Sequence, residues 1–186
     1  MDLPPLSDWP LPYFEQLEAR APEQIDLVVI HCTELPDLAA ARAAGERVLY
    51  ASGTGNSGHF YIDRDGSVHV WVKPSRIAHH TRGYNPRSIG IELINRGRYP
   101  SWLASRSQGM TEPYTAAQIS ALRGLLARLS DELPNLRLIA GHEDLDTDQV
   151  AASDDPTTLV YRKRDPGPLF PWAEVLQGSP LRRLAP

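Results

Sequence analysis

Hydrophobic positions run together in "DLVVIHCT", Asp26 to Thr33. Its four consecutive apolar residues, mostly β-branched and closed by polar ones, predict a buried strand with His31 at its C-terminal end. The alanine-rich run "LPDLAAARAAGERVLY" that follows has Pro36 near its start and predicts a helix over residues 37–50. "GTGNSG" breaks that pattern, and "HFYIDRDGSVHVWV" then predicts a β-hairpin around Asp65 and Gly66 with its register left open. In "SIGIELIN" the period is two: Ile89, Ile91 and Leu93 share one face, and Glu92 is an acid on the other face of an otherwise apolar strand. From Thr115 the period becomes helical. Thr115 and Gln118 form a capping-box pair, and Ile119, Leu122, Leu125, Leu126 and Leu129 mark one apolar stripe over residues 116–132. "LRLIAGHED" predicts a further strand, with Gly141 providing a sharp turn before His142.

Strands alternating with helices in one compact length imply a single α/β domain, a central mixed β-sheet flanked by helices. The expected organisation is a proline-rich lead segment over 1–25, the domain over 26–178 and a tail over 179–186. At 186 residues and 41% hydrophobic content the chain suffices for one core. A formal charge of −4 argues against nucleic acid as a partner, and the apolar runs are too short for membrane insertion. The opening "MDLPPLSDWPLPYF" has neither a basic n-region nor an apolar h-region, and the single cysteine, Cys32, allows no internal disulfide; both lead to a cytoplasmic expectation.

Three potential metal ligands fall at comparable places: His31 at a strand end, His142 just past another, and Asp165 in the closing "RKRDPGPLFPW". Two imidazoles and a carboxylate suit zinc and leave a fourth position for water. Each residue alone is more simply a hydrogen-bonded histidine or a surface ion pair, and no short-range metal motif ties them together. Because a residue before proline is pushed toward extended backbone, Lys163 and Asp165, two apart, are expected to face one way. Glu92, if buried, would have a raised pKa and serve as a proton acceptor; the competing reading pairs it with Arg87 or Arg96. Cys32 points away from its neighbour His31, which disfavours a thiol hydrolase. "DLDTDQVAASDD" imitates a calcium loop, but Gln149 occupies the position that requires glycine, so it reads as a solvated acidic loop.

Taken in order, "LVVIHCT", "SGHFYIDRDGSVHVWV", "IAHHTRGYNPRSIGIELIN", "AGHEDLD" and "RKRDPGPLFPW" resemble the zinc-dependent N-acetylmuramoyl-L-alanine amidases of the cytoplasmic muropeptide-recycling type, a fold shared with phage amidase lysins and peptidoglycan-recognition proteins. The resemblance runs from about residue 26 to residue 172. It implies one Zn2+ on His31, His142 and Asp165, Glu92 as catalytic acid, Lys163 as catalytic lysine, and His80 lining the substrate groove, with His59 structural. It implies hydrolysis of the lactyl amide between N-acetylmuramic acid, in its anhydro form, and L-alanine of the stem peptide, with a muropeptide or peptidoglycan fragment as partner. An extracytoplasmic wall-degrading amidase and a noncatalytic muropeptide-binding module are the alternatives. The His142-to-Asp165 connection is longer than in short family members and is expected to edge the groove.

Overall fold

The computed structural model describes residues 5–184. Nine strands and four α-helices occur among them. A seven-stranded sheet runs in the order β1 (Leu6–Asp8), β4 (Val68–Val70), β3 (Phe60–Ile62), β5 (Ser88–Leu93), β2 (Leu27–Cys32), β6 (Leu138–Gly141) and β9 (Arg182–Arg183). Only the β3–β4 pair is antiparallel, so the sheet is mixed. The hairpin register left open by the sequence places Tyr61 opposite His69 and Phe60 opposite Val70.

Period-two alternation on the strands divides the core in two. Val28 and Ile30 of β2 and Ile89, Ile91 and Leu93 of β5 face α2 (Ala116–Glu132), whose stripe of Ile119, Leu122, Leu125, Leu126 and Leu129 is buried against them. Thr115 caps α2 by accepting from the Gln118 N–H while the Gln118 side chain accepts from the Thr115 N–H. A second cluster contains Tyr61 and Trp71, stacked at 3.4 Å, with Ala41 from α1 (Leu38–Gly45) and Leu11, Tyr13 and Leu17 from the lead segment.

The helix expected over 37–50 is shorter than the alanine pattern suggests. Asp37 caps its start by accepting from Ala40 N–H, and the Tyr13 hydroxyl donates to the carbonyl of Gly45 at its end. Val48, Leu49 and Tyr50 beyond it are exposed, so no apolar face would be buried by continuing the helix. The stretches set apart as lead and tail contribute the two edge strands, β1 against β4 and β9 against β6. Residues 1–4, 185 and 186 lie outside the described residues.

The acidic connection is also more ordered than its composition implies, which corrects the reading of it as a solvated loop. β7 (Gln149–Ala151) and β8 (Leu159–Tyr161) form a separate antiparallel hairpin. At its tip Asp155 accepts from the Thr157 N–H and from both the Thr157 and Thr158 hydroxyls, so the acid serves as a turn former. The hairpin is tied to the domain by Arg98, only 2% exposed, whose guanidinium donates to both Glu34 carboxylate oxygens (2.6 and 2.9 Å) and to the carbonyls of Tyr161 and Arg162 (2.9 and 3.3 Å). Arg98→Ala is expected to destabilise the protein by about 3–5 kcal/mol, because it leaves the Glu34 carboxylate buried and unpaired. Chemical denaturation measures this, and a change under about 1 kcal/mol would show that the pair contributes only as a surface bridge does.

Candidate active site

The central strands β5, β2 and β6 are mutually parallel, so their C-terminal ends open on one side of the sheet, the usual ligand-binding edge of parallel strands. His31, near the end of β2, is in register with Glu92 of β5, and Gly141 of β6 with Ile30, which puts His142 just past the sheet edge. A cavity of about 730 Å³ opens there, and His31, His142, Asp165, Glu92, Lys163 and His80 all line it. These are the six site residues named from the sequence.

Asp165 comes from a distant part of the chain and is held by backbone contacts. Glu143 N–H donates to its carbonyl at 2.9 Å. Gly141 permits the approach: a Cβ at that position would lie 2.8 Å from Pro166 Cδ. The sequence assigned Gly141 to a sharp turn, yet its φ of −80° is ordinary, and the need for glycine is this close packing. Gly141→Ala should therefore push the Asp165–Pro166 segment away from His142 and weaken divalent-ion affinity by about 10-fold or more, the scale on which disturbed support of a ligand acts. Competition with a chelating dye would measure this, and wild-type affinity would count against the packing argument.

Asp165 Oδ2 lies 2.8 Å from His31 Nδ1 and 3.2 Å from His142 Nδ1. One ligand atom from each residue falls within 4.8 Å of the others, and all three residues are buried. The donor set fits zinc: two borderline imidazole nitrogens and one carboxylate oxygen converge from separate elements. Burial lowers the His31 pKa to about 4, partly offset by the bond to Asp165, so this imidazole is neutral at ordinary pH. Burial pushes the Asp165 carboxyl up, but the charge and hydrogen bonds of His142 and His31 outweigh it and hold the group well below the usual range.

Glu92 has neither of the arginine partners weighed for it. Arg87 pairs with Asp26, and the backbone N–H of Arg96 donates to Glu112 while its guanidinium lies over Tyr99. Burial raises the Glu92 pKa to about 8; the Asp165 charge adds to this and Lys163 opposes it. A carboxyl poised near neutrality on the cavity wall is suited to accept and return a proton.

His80 and His59 are set behind the first ligand. His80 Nδ1 is 3.0 Å from His31 Nε2, and its ring packs on Gly90, where a Cβ would come within 2.6 Å. His59, fully buried, accepts from the Gly90 N–H through Nδ1, and its Nε2–H donates to the Arg76 carbonyl. Burial lowers both pKa values well below that of a free histidine, with neighbouring charges adding to the effect. Cys32 is buried beside the site, its thiol pKa raised by burial, and so has no nucleophile's environment.

The sequence reading missed Trp102, whose indole N–H donates to the Glu34 carbonyl at 3.1 Å, and Arg162; both line the cavity. Neither belongs to a periodic element, so no pattern marked them. It also missed Asn85, whose side-chain oxygen accepts from the N–H groups of His80 and Thr81. The Asn-Pro pair at 85–86 was the available signal for such a turn.

Two histidines, an aspartate and a raised glutamate at a parallel-strand edge are a side-chain set that could serve a hydrolase. Comparison with known proteins sharpens this. The N-acetylmuramoyl-L-alanine amidase family matches residues 21–168, and the chain belongs to that family. It is 37% identical over 123 residues to the N-acetylmuramoyl-L-alanine amidase AmiD of Escherichia coli (strain K12), covering 61% of this chain and 39% of AmiD. An endolysin of Klebsiella phage KP32 is 33% identical over 86 residues, covering 46% of this chain and 52% of the endolysin. The chain thus spans about two-fifths to one-half of the length of these curated relatives. Among solved structures, the N-acetylmuramoyl-L-alanine amidase LysC from Clostridium intestinale URNW superposes with a TM-score of 0.69 at 18% identity, covering 96% of this chain and 99% of LysC, which shows the shared fold. No helix among the described residues is long and apolar enough to cross a membrane.

Proposed function

We propose that the chain hydrolyses the lactyl amide bond between N-acetylmuramic acid, in its 1,6-anhydro form, and the L-alanine of a stem peptide, with one zinc ion held by His31, His142 and Asp165. The observation that carries this reading is the convergence of those three ligands with Glu92 and Lys163 in one cavity of a chain that belongs to the amidase family. The substrate assignment draws on AmiD from E. coli, solved in complex with the substrate anhydro-N-acetylmuramic acid-L-Ala-D-gamma-Glu-L-Lys; that structure is 25% identical and superposes with a TM-score of 0.62 over 83% of this chain and 57% of the other.

A zinc ion supplies Lewis-acid chemistry, polarising a carbonyl and acidifying water. The protein's own groups complete the reaction. Glu92, as its carboxylate, takes the proton of the attacking water and passes it to the leaving nitrogen, so the amide N–C bond breaks with a neutral amine departing. Lys163, which lines the same cavity, compensates the negative charge that develops on the carbonyl oxygen. Retention of all three ligands and of the acid favours this reading over a binding module that does not cut. The cytoplasmic compartment expected from the sequence belongs to the same reading.

The similarity to phage endolysins supports a second reading, the same chemistry on intact wall polymer. Mass analysis of products separates the two. Zinc-loaded protein should release free peptide beginning at L-alanine from a small anhydromuropeptide; release only from intact sacculi would transfer the assignment to a wall-degrading amidase, and no release from either would end the enzymatic reading.

A further inference from the structure

Behind the ligand trio a line of hydrogen-bonding groups leads away from the cavity. His31 Nδ1 faces Asp165 Oδ2 at 2.8 Å, and His31 Nε2 faces His80 Nδ1 at 3.0 Å. Next, His80 Nε2 lies 3.2 Å from the Ser88 hydroxyl, which lies 2.8 Å from the Tyr84 carbonyl. Thr81 Oγ1 flanks the first link, 3.0 Å from His80 Nδ1 and 3.3 Å from His31 Nε2. The Asn85 side chain fixes the backbone of His80 and Thr81, and Gly90 leaves the space that the His80 ring fills.

Proton positions along this line are constrained. With no cation present, the short contact to the Asp165 carboxylate requires the His31 proton on Nδ1, so Nε2 is an acceptor and His80 Nδ1 must carry the proton that meets it. His80 Nε2 is then unprotonated and accepts from the Ser88 hydroxyl, whose single proton turns to it from the Tyr84 carbonyl. If Nδ1 of His31 binds a cation instead, its proton must sit on Nε2, and two N–H groups would collide unless His80 also moves its proton, from Nδ1 to Nε2. The Ser88 hydroxyl accommodates this second state by accepting from His80 and donating to Tyr84. Each residue holds the same number of protons in both states; only their positions differ, by exchange with solvent.

We propose that His80 is a positioning residue that acts through His31, changing tautomer together with it when a divalent ion binds, with Ser88 as the hydroxyl that serves both states. This rests on the proposed metal site and assigns His80 a role behind the ligand in place of the substrate contact implied by resemblance. A histidine is suited to the position because its ring can be donor or acceptor at either nitrogen, whereas a lysine or a leucine could satisfy at most one of the two states.

The test is ¹⁵N NMR of the histidine side chains in the full chain, without metal and after zinc addition, alongside zinc affinity by chelator competition. In the wild-type protein His80 should change from the Nδ1–H to the Nε2–H form on zinc addition. His80→Ala should lose about 10–100-fold in zinc affinity, the usual scale for partners of ligating histidines. His80→Asn, whose carboxamide can turn to present either a donor or an acceptor near the same place, should recover most of that loss. Ser88→Ala should lose several-fold, and it decides the matter if His80→Ala does not fold. Zinc binding with an unchanged His80 tautomer, or wild-type affinity in His80→Ala with only KM raised, would overturn the relay. Failure of the wild-type protein itself to bind zinc would instead overturn the metal site on which the proposal rests.

Discussion

Asp165→Ala should abolish metal retention and amidase activity together while leaving the fold intact. The Asp165 carboxylate contacts both imidazoles, so its removal takes away one of the three proposed ligands and, in the metal-free protein, the contacts that hold the two rings together. What remains is two buried histidines, of which His31 is neutral at ordinary pH. The expected signature is a far-ultraviolet spectrum like wild type, zinc content near background by elemental analysis, and product formation indistinguishable from a no-enzyme control. Zinc retained at the wild-type level would show that the ligand set is wrong.

Glu92→Gln should separate the two properties, keeping zinc while reducing kcat by about 10²–10⁴-fold, the contribution typical of a general acid–base. The amide preserves shape and hydrogen-bonding capacity, so KM should change little. The same variant reports on stability. In the folded, metal-free protein the Glu92 pKa is about 8, against an ordinary value of 4.5. Between those values the folded state holds a proton at Glu92 that the unfolded state has released, so the contribution of this group to stability must fall as pH rises through this window. Thermal unfolding of the metal-free proteins from pH 5 to pH 9 should therefore show wild type losing stability relative to Glu92→Gln, a comparison in which the opposite contributions of the buried neutral His31, His59 and His80 cancel. With the site loaded, a nearby dication favours the carboxylate and the decline should flatten. A variant with wild-type kcat would remove Glu92 from the mechanism.

Much of this architecture could be read from periodicity because the residues concerned interact locally or face a uniform core. The capping pair Thr115–Gln118 and the leucine stripe give α2 its observed limits, and the alternation around Glu92 gives the face it occupies. The rest depends on contacts remote in sequence. Where α1 stops depends on Tyr13, 32 residues away, and the acidic connection becomes a hairpin where Asp155 forms its turn and Arg98 holds its exit. His80 shows the same limit at the site: its motif marked it as a cavity residue, but only the tertiary structure places it against His31, 49 positions earlier.

The two outermost strands carry a consequence for anyone shortening this protein. A fragment cut to the family's matched span, 21–168, would lack both β1 and β9. The backbone hydrogen-bonding rows of β4 and β6 would then face solvent, inviting edge-to-edge self-association. It would also lose Leu11, Tyr13 and Leu17, which bury Trp71, and Arg20, whose guanidinium donates to the carbonyls of Pro74, Asn85 and Ser88. The region that the family match delimits and the unit that completes the sheet are therefore different lengths of chain.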